Sequence, residues 1–282
     1  METQKRLVAI NDISGFGKCS LTVAIPVISA CGIETVCLPT AILSTHTGGF
    51  SGYTFRDLTE DMVPFINHWK SLKLEFDAIY SGFLGSIKQI EIVKNFFDTF
   101  KRKDTITIVD PSMADHGKLY SVFDMEFARE MTQLSAVADI VIPNITEAAF
   151  MTNTEYIGTV QTKQYIEQLL EKILSTGAKS VVLTGVSFDE KKLGVACKKA
   201  NDSETQYYFT KRIDGHYHGT GDVFASAFSG ALLNKFSLYD SSRIAANYVL
   251  NCIERTRQFN IDMRYGVDFE RGIPFLLGEL GL

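Results

Sequence analysis

The sequence predicts an α/β fold, a three-layer sandwich in which a mostly parallel central sheet is flanked by helices. Apolar runs of strand length alternate with longer amphipathic segments, and this alternation implies crossover connections between parallel strands. The strand runs are almost continuously apolar, as expected where both faces of a sheet are covered. No internal repeat, low-complexity tract or linker interrupts the pattern, so residues 1–282 are predicted to form one domain.

The individual elements follow from apolar runs and their spacing. Parallel strands are predicted at residues 7–10, 35–43 with a break at Pro39, 78–80, 106–109, 140–142 and 179–184. Helices are predicted from a glycine loop to about Ala30 and at residues 62–72, 87–100, 160–174, 223–233 and 241–259. Residues 193–198 and 206–211 resemble two antiparallel strands joined by a polar turn, and they are interpreted, with residues 35–43, as extensions of the central sheet.

Composition and charge argue against several classes of protein. The 282 residues are 45% hydrophobic and 22% charged, which is enough apolar material for a sizeable core. A net charge of −5 without a Lys/Arg tract argues against nucleic acid as a partner, because binding to phosphates needs a basic face. No apolar run reaches the roughly 20 residues of a membrane helix. The five cysteines are scattered without a C-x-x-C pair, which favours a reducing cytoplasm over a disulfide framework or a structural zinc site.

Polar residues and glycines follow the predicted strands, at the edge where ligands bind in open parallel sheets. They occur in the segments at residues 11–15, 44–49, 81–83, 110–113, 144–147 and 184–185. Such residues also cap helices and form turns, which accounts for about half of them without any ligand.

The strongest local signal is Gly219-Thr220-Gly221-Asp222, which opens directly into a helix of small residues. Glycine lets the backbone approach a ligand closely, and the first amides of the helix, at the positive end of its dipole, point at an anion. A carboxylate repels an anion, so Asp222 is better suited to accept the proton of a hydroxyl that attacks the γ-phosphorus of ATP. A helix N-cap role is the alternative for Asp222, and the spacing alone does not choose between the two.

This glycine turn and its helix resemble the signature of the ribokinase-like superfamily. Further segments between residues 11 and 222 resemble, in the family's order, the pyridoxal/pyridoxamine kinase branch. They are Ser14, His46-Thr47-Gly48, Asp110-Pro111, the run from Pro143-Asn144 to Glu147, and Thr184. The resemblance implies an ATP-dependent kinase that phosphorylates the 5′-hydroxymethyl group of pyridoxal, pyridoxine or pyridoxamine. It also implies that Mg²⁺ binds the ATP phosphates, that K⁺ or Na⁺ can assist as a further cation, and that the protein is a homodimer.

The same resemblance implies roles for single residues. Asp222 is the catalytic base, and the amides of Gly219, Thr220 and Gly221 stabilise the charge on the transferred phosphoryl group. The implied vitamer contacts are Ser14, His46, Thr47 and Phe83. The implied nucleotide contacts are Asp110, Asp115, Asn144, Glu147 and Thr184, with Glu147 and Asp110 beside the metal ion. Residues 113–120 are implied to form a mobile cover, with Asp115 facing the phosphates.

Two positions bear on substrate choice. Phe83 stands where relatives often carry Tyr, so a ring can still stack there but the phenol hydrogen bond is lost. Related hydroxymethylpyrimidine kinases resemble the chain as well, but they often carry Cys at the position of Asp222. The alternatives are therefore a hydroxymethylpyrimidine kinase and a non-catalytic vitamer-binding protein, and the second of these has no need of the Asp222 base.

Two weaker signals favour structural roles. Residues 15–20 approach a P-loop, but Asp12 stands where that motif needs its first glycine, and Cys19 follows the lysine. The histidines form no H-E-x-x-H or similar pair. His216 and His218 are therefore predicted to be polar residues beside the glycine turn rather than metal ligands.

Overall fold

The computed structural model describes residues 4–259 and 262–282. Its strands are β1 Arg6–Ser14, β2 Glu34–Leu43, β3 Phe55–Asp57, β4 Ala78–Ser81, β5 Ile106–Val109, β6 Ala114–Asp115, β7 Lys118–Leu119, β8 Ile140–Val141, β9 Ser180–Val186, β10 Lys192–Lys199 and β11 Gln206–Lys211. Its α-helices are α1 Leu21–Ala30, α2 Thr59–Ser71, α3 Ile87–Phe100, α4 Met125–Ala136, α5 Ile145–Met151, α6 Lys163–Ser175, α7 Thr220–Leu233, α8 Leu238–Gln258 and α9 Ile273–Leu280.

Within the described part of the chain, nine strands form one sheet in the order β11-β10-β9-β8-β5-β4-β1-β2-β3. The strands from β9 to β2 in this order are parallel to their neighbours. β10 and β11 extend one edge as antiparallel strands, and β3 extends the other edge in the same way. The predicted α/β fold and the antiparallel extension at residues 193–211 are confirmed.

Each face of the sheet carries its own apolar core, because successive side chains of a strand point to opposite sides. In β1, Val8 and Ile10 belong to a core that also contains residues of α2 to α6. Leu7 and Ala9 belong to a second core with α1, α7, α8 and α9. The helices therefore form the two outer layers of the predicted sandwich, and the sheet's polar strand ends are left between them at one edge.

Some predicted element boundaries are wrong for local reasons. β2 continues through Pro39, which pairs in register with Asn11, so the predicted break does not end the strand. An irregularity follows directly after Pro39, because Thr40 and Ala41 of β2 lie opposite the single residue Asp12 of β1. The helix predicted from residue 160 begins at Lys163, because the Thr162 side chain caps it by accepting the amide of Tyr165.

Two further observations concern the whole described chain. None of its helices in residues 4–259 and 262–282 is long and apolar enough to cross a bilayer. The five cysteines are all free thiols, and four of them are buried.

Candidate active site

Four carboxylates meet at the edge where the parallel strands end. Asp12 lies in β1, Asp110 directly follows β5, and Glu147 and Asp222 lie in the first turns of α5 and α7. Burial is the main cause that raises the pKa of both Asp110 and Asp222. The negative charges of Glu147 and Asp222 raise the pKa of Asp110 further, and the charge of Asp12 does the same for Asp222. Carboxylates that raise each other's pKa in this way are typical of functional sites, because a bound proton or metal ion must compensate their negative charges.

The glycine turn places Asp222. Gly219 is the N-cap of α7, and its φ of 76° lies in the left-handed region. A Cβ at this position would clash with the carbonyl oxygen of Lys18. Asp222 therefore lies inside the first turn, and the alternative that it is the N-cap is wrong. The amides of Thr220 and Gly221 belong to the first turn of α7, where backbone amides have no partner within the helix.

The surroundings of Asp222 suit a general base. Burial is the main cause that raises its pKa, to about 6, and the charge of Asp12 adds to this effect. Hydrogen bonds from the backbone N–H of Ser20 and the side chain of Asn11 work in the opposite direction. A carboxylate with a pKa close to neutrality is deprotonated at pH 7 and still takes up a proton readily.

Asn11 and Asp12 are site residues that were not singled out from the sequence. The side-chain oxygen of Asn11 accepts the amides of Asp12, at 3.0 Å, and of Phe83, at 2.9 Å. Asp12 in turn accepts the hydroxyls of Ser14, at 2.8 Å, and Ser20, at 2.6 Å. Ser14, the predicted vitamer contact, is buried and holds Asp12, while its oxygen keeps acceptor capacity for a ligand. The only signal in the sequence was their place in the polar segment that ends β1.

On the nucleotide side, Glu147 joins α5 to the segment after β5. Asn144 caps the helix by accepting the amide of Glu147, at 2.9 Å, while Glu147 accepts the amide of Asn144 at 2.8 Å. The other oxygen of Glu147 accepts the amide of Met113 at 3.1 Å. Burial raises the pKa of Glu147 to about 7, although these hydrogen bonds act in the opposite direction and lower it. Burial also raises the pKa of Asp110 well above its usual range. Keeping the carboxyl groups of Asp110 and Glu147 both ionised therefore costs free energy.

Thr184 lies next to Asn144, as the predicted nucleotide site requires. The two residues form a parallel bridge between Asn144, beyond the end of β8, and Thr184, which lies in β9. The amide of Thr184 donates to the carbonyl of Pro143 at 2.9 Å, and its hydroxyl lies 3.3 Å from the same oxygen. The structure thus brings Asp110, Asn144, Glu147 and Thr184 together at one edge.

The predicted vitamer residues surround the other side of the site, with different exposures. Nδ1 of His46 accepts the amide of Gly48 at 3.1 Å, so its proton is on Nε2, which donates to the carbonyl of Arg264 at 2.7 Å. Both ring nitrogens of His46 are therefore engaged in holding the loop after β2. Thr47 is exposed on this loop, and half-buried Phe83 packs 5.6 Å from the ring of Phe123.

The predicted cover at residues 113–120 is a β-hairpin. β6 and β7 are joined by His116 and Gly117, whose φ values of 50° and 76° are typical of a type I′ turn. At its base, Met113 and Ala114 are fully buried. Asp115 and His116 are exposed at the tip, and the mobility of the cover stays a prediction.

The P-loop-like segment has a structural role, as the sequence indicates. Lys18 forms an ion pair with Glu270 at 2.8 Å, and its carbonyl packs under Gly219. The segment borders a cavity of about 320 Å³ that is also lined by Tyr265 and Glu270, whereas Asp110, Glu147 and Asp222 do not line it.

Comparison with known proteins agrees with this geometry. A family model described as phosphomethylpyrimidine kinase matches residues 23–267. A provisionally named phosphomethylpyrimidine kinase from Bacteroides thetaiotaomicron, solved with pyridoxal, is 36% identical, with 97% of this chain and 96% of that chain covered and a TM-score of 0.92. The pyridoxal kinase of Lactobacillus plantarum is 30% identical, with 98% of both chains covered and a TM-score of 0.89.

More distant relatives carry the same names. The pyridoxal kinase PdxY of Actinobacillus pleuropneumoniae is 26% identical over 243 residues, which cover 80% of each chain. The pyridoxal kinase of Staphylococcus aureus, solved with AMP-PCP, shares the fold at 20% identity, with 95% of this chain and 94% of that chain covered and a TM-score of 0.80. The chain therefore belongs to the phosphomethylpyrimidine kinase family and lies in the pyridoxal kinase branch of the ribokinase-like superfamily.

Proposed function

We propose that this chain transfers the γ-phosphoryl group of ATP to the 5′-hydroxymethyl group of a B6 vitamer, giving the 5′-phosphate and ADP. The observation that carries the proposal is Asp222, a carboxylate with a pKa of about 6 in the first turn of a helix whose free amides attract an anion. Relatives named as pyridoxal kinases, one similar structure with bound pyridoxal, and a kinase of this fold with an ATP analogue support the two substrates.

The chain's own residues divide the reaction between two sides of the site. Asp222 accepts the proton of the substrate hydroxyl as its oxygen bonds to the γ-phosphorus and the bond to the β-phosphate oxygen breaks. The amides of Gly219, Thr220 and Gly221 stabilise the charge on the phosphoryl oxygens during transfer. Asn11 orients Asp222, while Asn144 and Thr184 are placed to position the nucleotide.

Mg²⁺ fits the residues on the nucleotide side. Asp110 and Glu147 form a buried acidic pair whose pKa values are raised, and a cation between them and the ATP phosphates would relieve their repulsion. Both oxygens of Glu147 and one oxygen of Asp110 accept backbone amides and keep further acceptor capacity, so these two carboxylates would hold the ion. The bound ion supplies positive charge that neutralises the phosphates.

Substrate recognition is assigned to the opposite side. Phe83 is half-buried, and its backbone amide donates to the side-chain oxygen of Asn11 at 2.9 Å. Ser14 and Thr47 are proposed to bind the polar substituents of a pyridine ring that packs against Phe83. The homodimer and the cytoplasmic location stay predictions, as does a role for K⁺ or Na⁺.

Hydroxymethylpyrimidine kinase is the second candidate, and the name of the matching family model favours it. The test is an ADP-release assay on the full chain with pyridoxal, pyridoxine, pyridoxamine and hydroxymethylpyrimidine, with the products identified by mass spectrometry. We expect kcat/KM for at least one vitamer to exceed that for the pyrimidine by about tenfold, or 1.4 kcal/mol. Equal or faster turnover of the pyrimidine would favour the second candidate. Binding of vitamers without any turnover would favour a vitamer-binding protein.

A further inference from the structure

Three side chains from two distant segments of the chain converge on the cover hairpin. Asp115 and His116 lie at its tip, and His216 lies in the segment that leads into the glycine turn. Within residues 4–259 and 262–282, these three residues form a group whose possible ligand atoms all lie within 4.8 Å of one another. None of the three belongs to the acidic group formed by Asp12, Asp110, Glu147 and Asp222.

The hairpin turn explains this convergence. His116 adopts a φ of 50°, a left-handed conformation that histidine tolerates better than most residues, and Gly117 completes the turn. Nε2 of His116 lies 3.2 Å from a carboxylate oxygen of Asp115. The rings of His116 and His216 have their centroids 4.1 Å apart. One carboxylate and two imidazoles thus face a common point from two separate segments of the chain.

We propose that Asp115, His116 and His216 form a site for a transition-metal ion of the Zn²⁺ type. Zn²⁺ takes His nitrogen at about 2.0–2.1 Å and carboxylate oxygen at about 2.0–2.2 Å, so the ligand atoms of a tetrahedral ion lie about 3.3–3.5 Å apart. The candidate ligand atoms lie within 4.8 Å of one another, so the exposed side chains must move closer by up to about 1.5 Å to bind the ion. Water completes a tetrahedral set, since three protein ligands leave the fourth position open.

The chemistry of the ligands separates this site from the proposed magnesium site. Imidazole suits Zn²⁺, Cu²⁺ and Ni²⁺, whereas Mg²⁺ prefers oxygen ligands in octahedral geometry. All three residues are exposed, so a hydrated ion reaches them directly from solvent. His218 and His46 continue a row of stacked rings away from the cluster, but both nitrogens of His46 already have hydrogen-bond partners.

A metal ion at this position has a mechanical effect. It ties the tip of the β6–β7 hairpin to the segment that ends at Gly219, three residues after His216 in the chain. The base of the hairpin is already fixed by buried Met113. In the turn, the Gly117 amide donates to the Thr146 hydroxyl at 3.0 Å. The ion adds a restraint on the exposed side chains of Asp115 and His116.

Calorimetric titration of the metal-free full chain with ZnCl₂, without nucleotide, tests the site apart from any kinase activity. We expect one Zn²⁺ per chain and an affinity that falls by at least about tenfold in His216→Ala, since even outer-shell changes at metal sites cost about 10–100-fold. Asp115→Asn, which keeps the side-chain size, should also weaken binding. The matched control is His68→Ala, because His68 is an exposed histidine on α2 outside the cluster. Excess MgCl₂ should not compete.

A second readout follows the hairpin itself. Trypsin cleavage after exposed Lys118 should slow at least about tenfold when ZnCl₂ is added to the wild-type chain, and this protection should be absent in His216→Ala. Circular dichroism melting verifies that each variant is folded. The proposal is overturned if His216→Ala and Asp115→Asn bind Zn²⁺ as the wild type does, or if His68→Ala weakens binding equally. Since neither readout measures phosphoryl transfer, failure of the proposed kinase function leaves this test intact.

Discussion

The side-chain amide of Asn11 lies 3.5 Å from the carboxylate of Asp222, although 211 positions separate them in the sequence. Asn11 also accepts the backbone amide of Phe83 at 2.9 Å. A single buried amide in β1 therefore connects the proposed base with the loop that is proposed to bind the substrate. Two elements thus orient Asp222: the first turn of α7, to which it belongs, and β1 in the central sheet, through the side chain of Asn11.

The first prediction concerns the base. We expect Asp222→Asn to keep the fold and the affinity for ATP but to lower kcat by about 10²–10⁴-fold, the usual contribution of a general base. The measurement is steady-state kinetics with a vitamer, combined with calorimetric titration of ATP. Asp98→Asn is the control, because it removes the same charge from an exposed position on α3. Turnover of Asp222→Asn within threefold of the wild type would show that the base is another residue.

A pH profile gives the second prediction. Burial raises the pKa of Asp222 to about 6, and the residue works as a base only when it is deprotonated. We therefore expect kcat/KM to be constant near pH 7.5 and to fall tenfold per pH unit below about pH 6, as the proton occupies the carboxylate. The residual activity of Asp222→Asn should lack this acid limb. An identical limb in the variant would assign the titration to a different group.

The glycine turn offers a third prediction with its own control. Gly219→Ala should lower the free energy of unfolding by more than about 1–2 kcal/mol, because a left-handed φ is costly for alanine and its Cβ meets the Lys18 carbonyl. Gly221→Ala has no atom within 4 Å of the added Cβ and should stay within about 0.5 kcal/mol of the wild type. Urea unfolding measures both variants. Equal stability of the two would contradict the close approach at Gly219.

The fourth prediction separates the nucleotide side from the vitamer side. Glu147→Gln removes a charge from the acidic pair, so we expect the Mg²⁺ concentration for half-maximal rate to rise by more than the vitamer KM. The variant should also lose about 1–3 kcal/mol of stability, because one backbone amide that now donates to the carboxylate loses its acceptor. Glu126→Gln, in the first turn of α4, is the control. An unchanged Mg²⁺ titration with a raised vitamer KM would place Glu147 beside the vitamer.

The last prediction concerns the hairpin tip. Without ligands, trypsin should cleave after Lys118, and ATP together with a vitamer should protect this bond, because phosphoryl transfer gains from a cover that excludes water. Cleavage after exposed Lys103, in the loop before β5, should not depend on ligands. Asp115→Ala should lower kcat in buffer that contains Mg²⁺ but no Zn²⁺, and it should leave stability within about 0.5 kcal/mol, as expected for an exposed residue. Equal cleavage with and without ligands, together with an unchanged kcat, would make the hairpin an inert surface feature.

The sequence predicts best those elements whose periodicity is long. α3 was predicted with its observed bounds, since Ile90, Val93 and Phe97 repeat at helical spacing and are buried. β6 and β7 were missed because strands of two residues have no measurable period. The role of Asn11 could not be predicted for another reason. The hydrogen-bond partner of a buried polar residue in an apolar strand is known only from the folded structure. The meeting of His116 with His216 is likewise a contact that no local pattern encodes.

The order of strands in the sheet has a consequence for a chain that is still being synthesised. From β1 onward, the parallel strands β4, β5, β8 and β9 each join beside the one before, so the sheet can widen in the order in which its residues emerge. α7 then returns to pack on α1 at the centre. A nascent chain that has completed these strands already holds Asp110 and Glu147. The proposed base, Asp222, reaches Asn11 only when α7 has packed, so the acidic pair is assembled before the proposed base is in place.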